Sequence, residues 1–296
     1  MTSGTATSDA AITRALPSQA DLIDHAEHCS ADPELLARIG RAHCQQVRVY
    51  RDPDAFGLYT VSEVRPETRD TIVRMGRRGR ERLGTEAECA GLLDSRVPRS
   101  RLSERRARAE GELVERLDDD GRQTQLIAIA PHGGDVEPHT DDQAERVATR
   151  LDAKSVSSWR CKGWRPGGGA FDRWHITSTD LNEACFPRLA RVMSRGFTHA
   201  VAFHGFEPPE VLIGGTAPPS LKEDLRDAID AATGSGIRVR VATPDGHYGG
   251  DSPRNIVNRL TAGGMGGIQI EQSLQARDDH WCAIADAVAD VYDALI

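Results

Sequence analysis

Short continuous apolar runs alternate with amphipathic stretches along the second half of the chain. Gln125–Ala130 (QLIAIA) and Thr198–Phe203 (THAVAF) have the length and composition of short buried strands, and Ile237–Ala242 (IRVRVA) and Gly267–Ile270 (GIQI) read as strands too. Residues 155–164 and 172–178 read as two more. Helical periods lie between the runs. After Thr140, the residues Ala144, Val147, Ala148 and Leu151 recur at i, i+3, i+4 and i+7. Leu221, Leu225, Ala228 and Ile229 give a second apolar face behind Ser220–Glu223, which has the form of a capping box. Pro187 predicts a helix through Arg195 that Gly196 ends, and Pro253 predicts one carrying Ile256, Val257 and Leu260. Residues 278–296 form a closing amphipathic helix. Strands separated by such helices imply βαβ units, so the expected class is α/β, with a mixed, largely parallel sheet between helices.

The first half reads differently. Residues 1–50 are expected to be a polar, partly disordered helical leader. Within it Asp32 and Pro33 suit the start of a short helix over Glu34–Ile39, and Gly40 suits its end. Residues 56–64 have strand composition, 71–84 read as a strand followed by glycine-punctuated turns, and 101–117 as a charged helix. The expected division is a leader over 1–50, an Arg-rich accessory segment over 51–120 and the principal domain over 121–296.

Composition narrows the function classes. With 39% hydrophobic and 28% charged residues the chain can bury a core. No apolar stretch is long enough for a membrane span, and no basic–apolar leader marks a secretory signal. The six cysteines form no CxxC pair, so reduced thiols in a cytoplasmic protein are expected. A net charge of −8 argues against a general nucleic-acid binder. The segment Arg65–Arg108 departs from that balance, with 13 arginines against 7 acidic residues. It reads either as a solvated surface paired with acids elsewhere or as a patch that attracts an anionic substrate.

In open α/β sheets, sites form beyond the carboxyl ends of the strands. After QLIAIA comes Pro131-His132-Gly133-Gly134-Asp135-Val136-Glu137; after THAVAF comes His204; after GIQI comes Glu271. Two histidines and a carboxylate are a catalytic zinc set that leaves the fourth position open for water. A Gly-Gly turn lets His132 and Glu137 fold back onto one ion. A single histidine after a strand is more often structural, so these residues by themselves leave both readings open.

The segments IAIAPHGGDVEPHTDDQA, RWHITSTDL, AVAFHGF with the later Gly214-Gly215, and NIVNRLTAGGMGGIQIEQS occur in that order over roughly 122–295. Together they resemble the poly-γ-glutamate hydrolase family first known from bacteriophages. The resemblance implies a zinc-carboxypeptidase-like fold, zinc ligands at His132, Glu137 and His204, and a general base at Glu271. The segment before residue 122 matches no motif of that family. His139, just past Glu137, is a competing ligand, a supporting residue or simply a surface residue. His175, Asn255 and Arg259 are candidate substrate-binding residues, and Asp245 and His247 are weaker ones.

The resemblance thus implies a Zn2+-dependent amide hydrolase acting on a small or polyanionic γ-glutamyl substrate, with no nucleic-acid or membrane partner. Two alternatives stand beside it. One is a cytoplasmic N-acyl amino acid amidohydrolase of related fold, favoured by the missing export signal. The other is a non-catalytic protein that holds an anionic partner on its arginine-rich face.

Overall fold

The computed structural model describes residues 6–243 and 246–296. The chain divides into two compact units: residues up to Arg99 with Gly169–Phe186, and Ser100–Gly168 with Pro187–Ile296.

The first unit is built on six strands: β1 (Thr7–Arg14), β2 (His28–Ala31), β3 (Gln46–Tyr50), β4 (Phe56–Val64), β5 (Ile72–Met75) and β6 (Cys89–Asp94). They close into a barrel in the order β1-β5-β2-β4-β3-β6. Its interior is filled by small and β-branched side chains, among them Ile12, Cys29, Val47, Val49, Val61 and Val73. The helices of this unit are α1 (Ala20–Asp24), α2 (Pro33–Ile39), α3 (Arg77–Arg82) and α6 (Ala170–Trp174). In α2, Asp32 accepts the Glu34 N–H at 2.8 Å and Gly40 ends the helix at φ +65°, the chemistry those residues favour.

The expected leader over residues 1–50 therefore contains three barrel strands. Its polar composition is that of short strands with one wall-facing side, such as TSDAAITR, in which Ala10 and Ile12 point inward. The expected strand over 172–178 is instead α6 followed by extended chain; Trp174 packs edge-on against Phe56 and beneath the Arg48 guanidinium. Several members of the arginine-rich run have acidic partners close by. Arg74 pairs with Glu67 at 2.5 Å and Arg77 with Glu81 and Glu86 at 2.9 Å, while Arg106, in the second unit, pairs with Glu110 at 2.5 Å.

The second unit is a seven-stranded mixed sheet. Its strands are β7 (Leu113–Asp118), β8 (Leu126–Gly134), β9 (Ser157–Gly163), β10 (His199–Gly205), β11 (Glu210–Gly214), β12 (Arg238–Val241) and β13 (Gly267–Gln272), in the order β12-β11-β13-β10-β8-β9-β7. β13, β10, β8 and β9 run parallel; β11 is antiparallel to β13, and β7 to β9. The helices are α4 (Glu104–Glu110), α5 (Thr140–Arg150), α7 (Pro219–Thr233), α8 (Ile256–Arg259) and α9 (Leu274–Leu295). The core lies between one face of the sheet and α5, α7 and α9. Leu126, Ala128, Val201, Phe203, Ile268 and Ile270 meet Ala144, Val147, Leu225, Ile229, Ile284 and Val288 there.

Three local expectations change in this unit. The charged helix ends at Glu110, and Leu113–Asp118 joins the sheet, because Leu113 and Val114 are buried there. The segment after Pro187 makes only a 3-10 turn at Leu189–Arg191; the backbone N–H groups of Arg188 and Leu189 are taken by the buried Glu115 carboxylate at 3.0–3.2 Å. Ser220 lies inside α7, which begins at Pro219 with no side-chain cap.

Candidate metal centre

β8, β10 and β13 are adjacent and parallel, so their carboxyl ends lie on one edge of the sheet. On β10, Val201 and Phe203 face the helical core, so His204 projects from the opposite face. On β13, Ile268 and Ile270 face the core, which puts Gln269 and Glu271 on the face of His204; His204 and Glu271 are also register partners. β8 starts out of phase with this arrangement. Leu126, Ala128 and Ala130 face the core, and strict alternation would send His132 after them. A bulge prevents it: Ala130 pairs with Arg160 but Gly133 with Lys162, so β8 carries one extra residue. The extra residue inverts the alternation and turns His132 to the side of His204 and Glu271.

The chain then turns back. The Glu137 N–H donates to the His132 carbonyl at 2.8 Å, and the Thr140 hydroxyl donates to the Glu137 carbonyl at 2.8 Å where α5 begins. Gly134 sits at φ +72°, where a Cβ would lie 2.7 Å from the Gly163 carbonyl oxygen, so only glycine fits. The side chains converge. His132 Nδ1 is 3.1 Å from Glu137 Oε1, His204 Nδ1 is 3.2 Å from His132 Nδ1, and His204 Nδ1 is 3.5 Å from Glu137 Oε2. All three residues are buried.

Two imidazole nitrogens facing each other across a carboxylate leave lone pairs that one proton cannot satisfy. A cation shared by all three donors does satisfy them. Ligands at about 2.0–2.1 Å around a tetrahedral zinc ion lie about 3.3 Å from one another, and the spacings of 3.1, 3.2 and 3.5 Å match that figure. His132 lies beside Glu137 Oε1 and His204 beside Oε2, so two imidazoles and a carboxylate of the types that bind zinc are brought together. Burial opposes ionisation of Glu137, yet the two imidazoles hold its carboxyl well below the ordinary range. Glu271 shifts the other way: burial and then the Glu137 charge push its carboxyl well above the ordinary range, with Arg277 opposing.

Glu271 is held by a short relay. The Gln269 amide donates to Glu271 Oε1 at 2.8 Å, and the Asn255 amide donates to Gln269 Oε1 at 2.6 Å. Asn255, expected to bind substrate, is thus turned to Gln269 and also caps α8 through Val257 N–H at 3.1 Å. Arg259 is half-buried in the last turn of α8. His175 belongs to the first unit, where Nδ1 bonds to the Glu27 carboxylate and the ring stacks on Phe171 at 4.2 Å. Burial works against ionisation of Glu27, but His175, Arg82 and the Thr177 N–H outweigh it and hold the carboxyl at about 2. His139 stacks on Trp281 at 5.7 Å and meets Asp142 at 3.1 Å, so its ring is engaged outside the donor set. His247 is exposed, and Asp245 lies outside the described residues.

Sequence reasoning missed three further residues. Gln269 was legible, because the alternation in GIQIEQ puts it on the same face as Glu271. Asp141 accepts the Gly134 N–H at 2.9 Å and pairs with the buried Lys162 at 2.7 Å, so it clasps the turn between His132 and Glu137. Arg277 lies in the first turn of α9. Neither Asp141 nor Arg277 had any local pattern to announce it.

The poly-gamma-glutamate hydrolase family model matches residues 105–285, more than half of the chain. The chain belongs to this family. A solved bacteriophage poly-gamma-glutamate hydrolase superposes with a TM-score of 0.50 and 25% identity, over 62% of this chain and 89% of its own. A zinc-free form of YNDL gives a TM-score of 0.49 and 22% identity, over 61% of this chain and 89% of its own. The SPbeta prophage-derived protein YoqZ of Bacillus subtilis (strain 168) is 27% identical over 154 residues, 51% of this chain and 50% of its own. The chain thus spans about half the length of that curated relative. The family match begins within α4 and includes all four residues of the centre.

Proposed function

We propose that this protein is a zinc-dependent amide hydrolase acting on γ-glutamyl bonds. The observation that carries the reading is the convergence of His132, Glu137 and His204 on one point beside Glu271, within a chain of this family. His132, Glu137 and His204 would hold the ion. Zinc held by two histidines and a carboxylate supplies Lewis acidity, polarising a carbonyl and making a water acidic near neutral pH. Glu271 acts as the proton carrier: it accepts the proton of the attacking water and delivers it to the leaving nitrogen, so that an amine departs rather than an amide anion. Burial raises its carboxyl, which favours holding the proton between the two transfers. Gln269 fixes one carboxylate oxygen and leaves the other to face the reaction.

Among the described residues no helix is long and apolar enough to cross a membrane, and the six cysteines are unpaired. Unpaired thiols support a reducing, cytoplasmic setting. There a short γ-glutamyl or N-acyl amino acid amide is the alternative substrate to a polymer.

The test joins metal analysis to a panel of poly-γ-glutamate, short γ-glutamyl peptides and N-acyl glutamates, with and without chelator. Glu271→Gln is expected to keep its zinc and lose about 10²–10⁴-fold in turnover, while His204→Ala loses zinc as well. Full activity in Glu271→Gln removes Glu271 from the mechanism. Absence of zinc from the purified protein overturns the reading. One bound zinc with no cleavage of any member of the panel favours a binding role.

A further inference from the structure

The guanidinium of Arg277 is buried, with only 6% of the residue exposed. It occupies a singular place in the second unit. Nη1 donates to the carbonyl of Pro138 at 2.8 Å, and Nε lies 3.4 Å from the carbonyl of Gln272. Its plane rests on Gly205, where a Cβ would fall 2.6 Å from Cζ and 2.7 Å from Nη2. Pro138 follows Glu137, Gly205 follows His204, and Gln272 follows Glu271. Arg277 therefore touches the next residue along from two of the three metal-site side chains and from the proton carrier.

Its hydrogen bonds run to backbone carbonyls, and among the described residues no carboxylate lies within ion-pair distance of it. A buried cation normally has an acidic partner, because desolvating an unpaired charge is costly. The carboxylates that act on it through charge are Glu137, then Asp278, then Glu271. Asp278 is half-exposed and lies 3.9 Å from His139, and the reading above gives Glu137 to the metal and Glu271 to proton transfer. With a divalent ion bound, the ion and Arg277 would bring three positive charges against the two buried carboxylates Glu137 and Glu271, with Asp278 out toward solvent. A flat guanidinium with an uncommitted Nη2 edge matches a carboxylate better than any neutral group.

We propose that Arg277 is the anion-binding group of the site and takes an α-carboxylate of the glutamyl substrate, fixing the scissile amide relative to Glu271. The inference rests on the hydrolase reading above and names the feature of the substrate that the site selects. It also assigns a role to Gly205, the one residue type that leaves room for the guanidinium.

The test uses the zinc-loaded full chain and the dipeptide γ-glutamyl-glutamate, with each α-carboxylate converted in turn to a carboxamide. In the unaltered protein, masking one of them should lower kcat/KM on the order of 10²-fold, the scale of losing one partner of a desolvated charge pair. In Arg277→Met that same masking should change kcat/KM by no more than about threefold, because the loss has already fallen on the free acid. Arg277→Lys, which keeps the charge without the fork, should retain part of the preference. Calorimetric binding of glutarate against glutaramate, with zinc content measured alongside, reads the same preference without turnover.

Indifference of the unaltered protein to masking at every position overturns the proposal. So does Arg277→Met losing acid and amide equally with the preference intact, which would make Arg277 a positioning residue only. If nothing is cleaved but glutarate is preferred through Arg277, the hydrolase reading fails and the anion site stands.

Discussion

Asp141 offers the sharpest separation between support for the fold and support for the proposed metal site. Its Oδ1 accepts the Gly134 N–H at 2.9 Å, which fixes the turn between His132 and Glu137, and its Oδ2 meets Lys162 at 2.7 Å. Lys162 is buried and has a second partner, Glu104, at 2.8 Å, but that carboxylate is 43% exposed. Asparagine at 141 keeps an oxygen for Gly134 and removes the charge. Breaking a buried pair costs about 3–5 kcal/mol, and Glu104 retains part of it, so Asp141→Asn should destabilise by about 2 kcal/mol. Alanine removes the Gly134 contact as well, adding about 1–2 kcal/mol and freeing the turn. Loosening the support of metal ligands weakens metal binding by about 10–100-fold, and that loss should appear in Asp141→Ala and be small in Asp141→Asn. Urea unfolding gives the stabilities, and competition with a chromophoric chelator gives the zinc affinities. Equal zinc affinity in all three proteins would refute the clasp. Equal loss in both variants would assign the effect to the charge instead of the hydrogen bond.

Two further outcomes follow from the same structure. The Glu27 carboxyl is held at about 2 against an ordinary 4.5, so it stabilises the folded state above pH 4.5 and that stability is lost as pH falls from about 4.5 toward 2. The shift corresponds to at most about 3 kcal/mol, so thermal melts of Glu27→Gln should lie below the unaltered protein at neutral pH and converge with it in that acid window; parallel curves would show that the pair contributes nothing. Gly215 has φ +102°, and a Cβ there would lie 2.2 Å from the Gly267 carbonyl oxygen on β13. Gly215→Ala should therefore destabilise by several kcal/mol, about 3 or more, and a urea midpoint shift of less than about 0.3 M would contradict that packing.

Much of the second unit was legible before its structure. The runs at 125–130, 198–203 and 267–270 became strands buried on both faces, which need no partner to announce themselves, and 237–242 became the partly exposed edge strand β12. The strand Glu210–Gly214 was missed because its five residues adjoin a Gly-rich turn that reads as loop. The barrel was missed for a different reason. The strands at 56–64 and 72–75 could be read locally, but the barrel's pairing joins residues such as Ala11 with Ile72 and Thr7 with Asp94. No local window contains such a pair.

The residue types of the candidate metal centre, their order and their places at the carboxyl ends of three strands were set by the sequence alone. The tertiary structure decided which way they face. His132 is in phase with Leu126, Ala128 and Ala130 by simple alternation, and only the extra residue before Gly133 brings it out of the core and toward His204. The same holds for Arg277: its sequence position is that of any early helix residue, and its chemistry comes from lying on Gly205 and Pro138, which are 72 and 139 residues away along the chain. Strand length and helix period are properties of neighbouring residues and can be read locally. Bulge, register and the charge surrounding a buried group are properties of pairing between distant segments, and they exist only once the chain has folded.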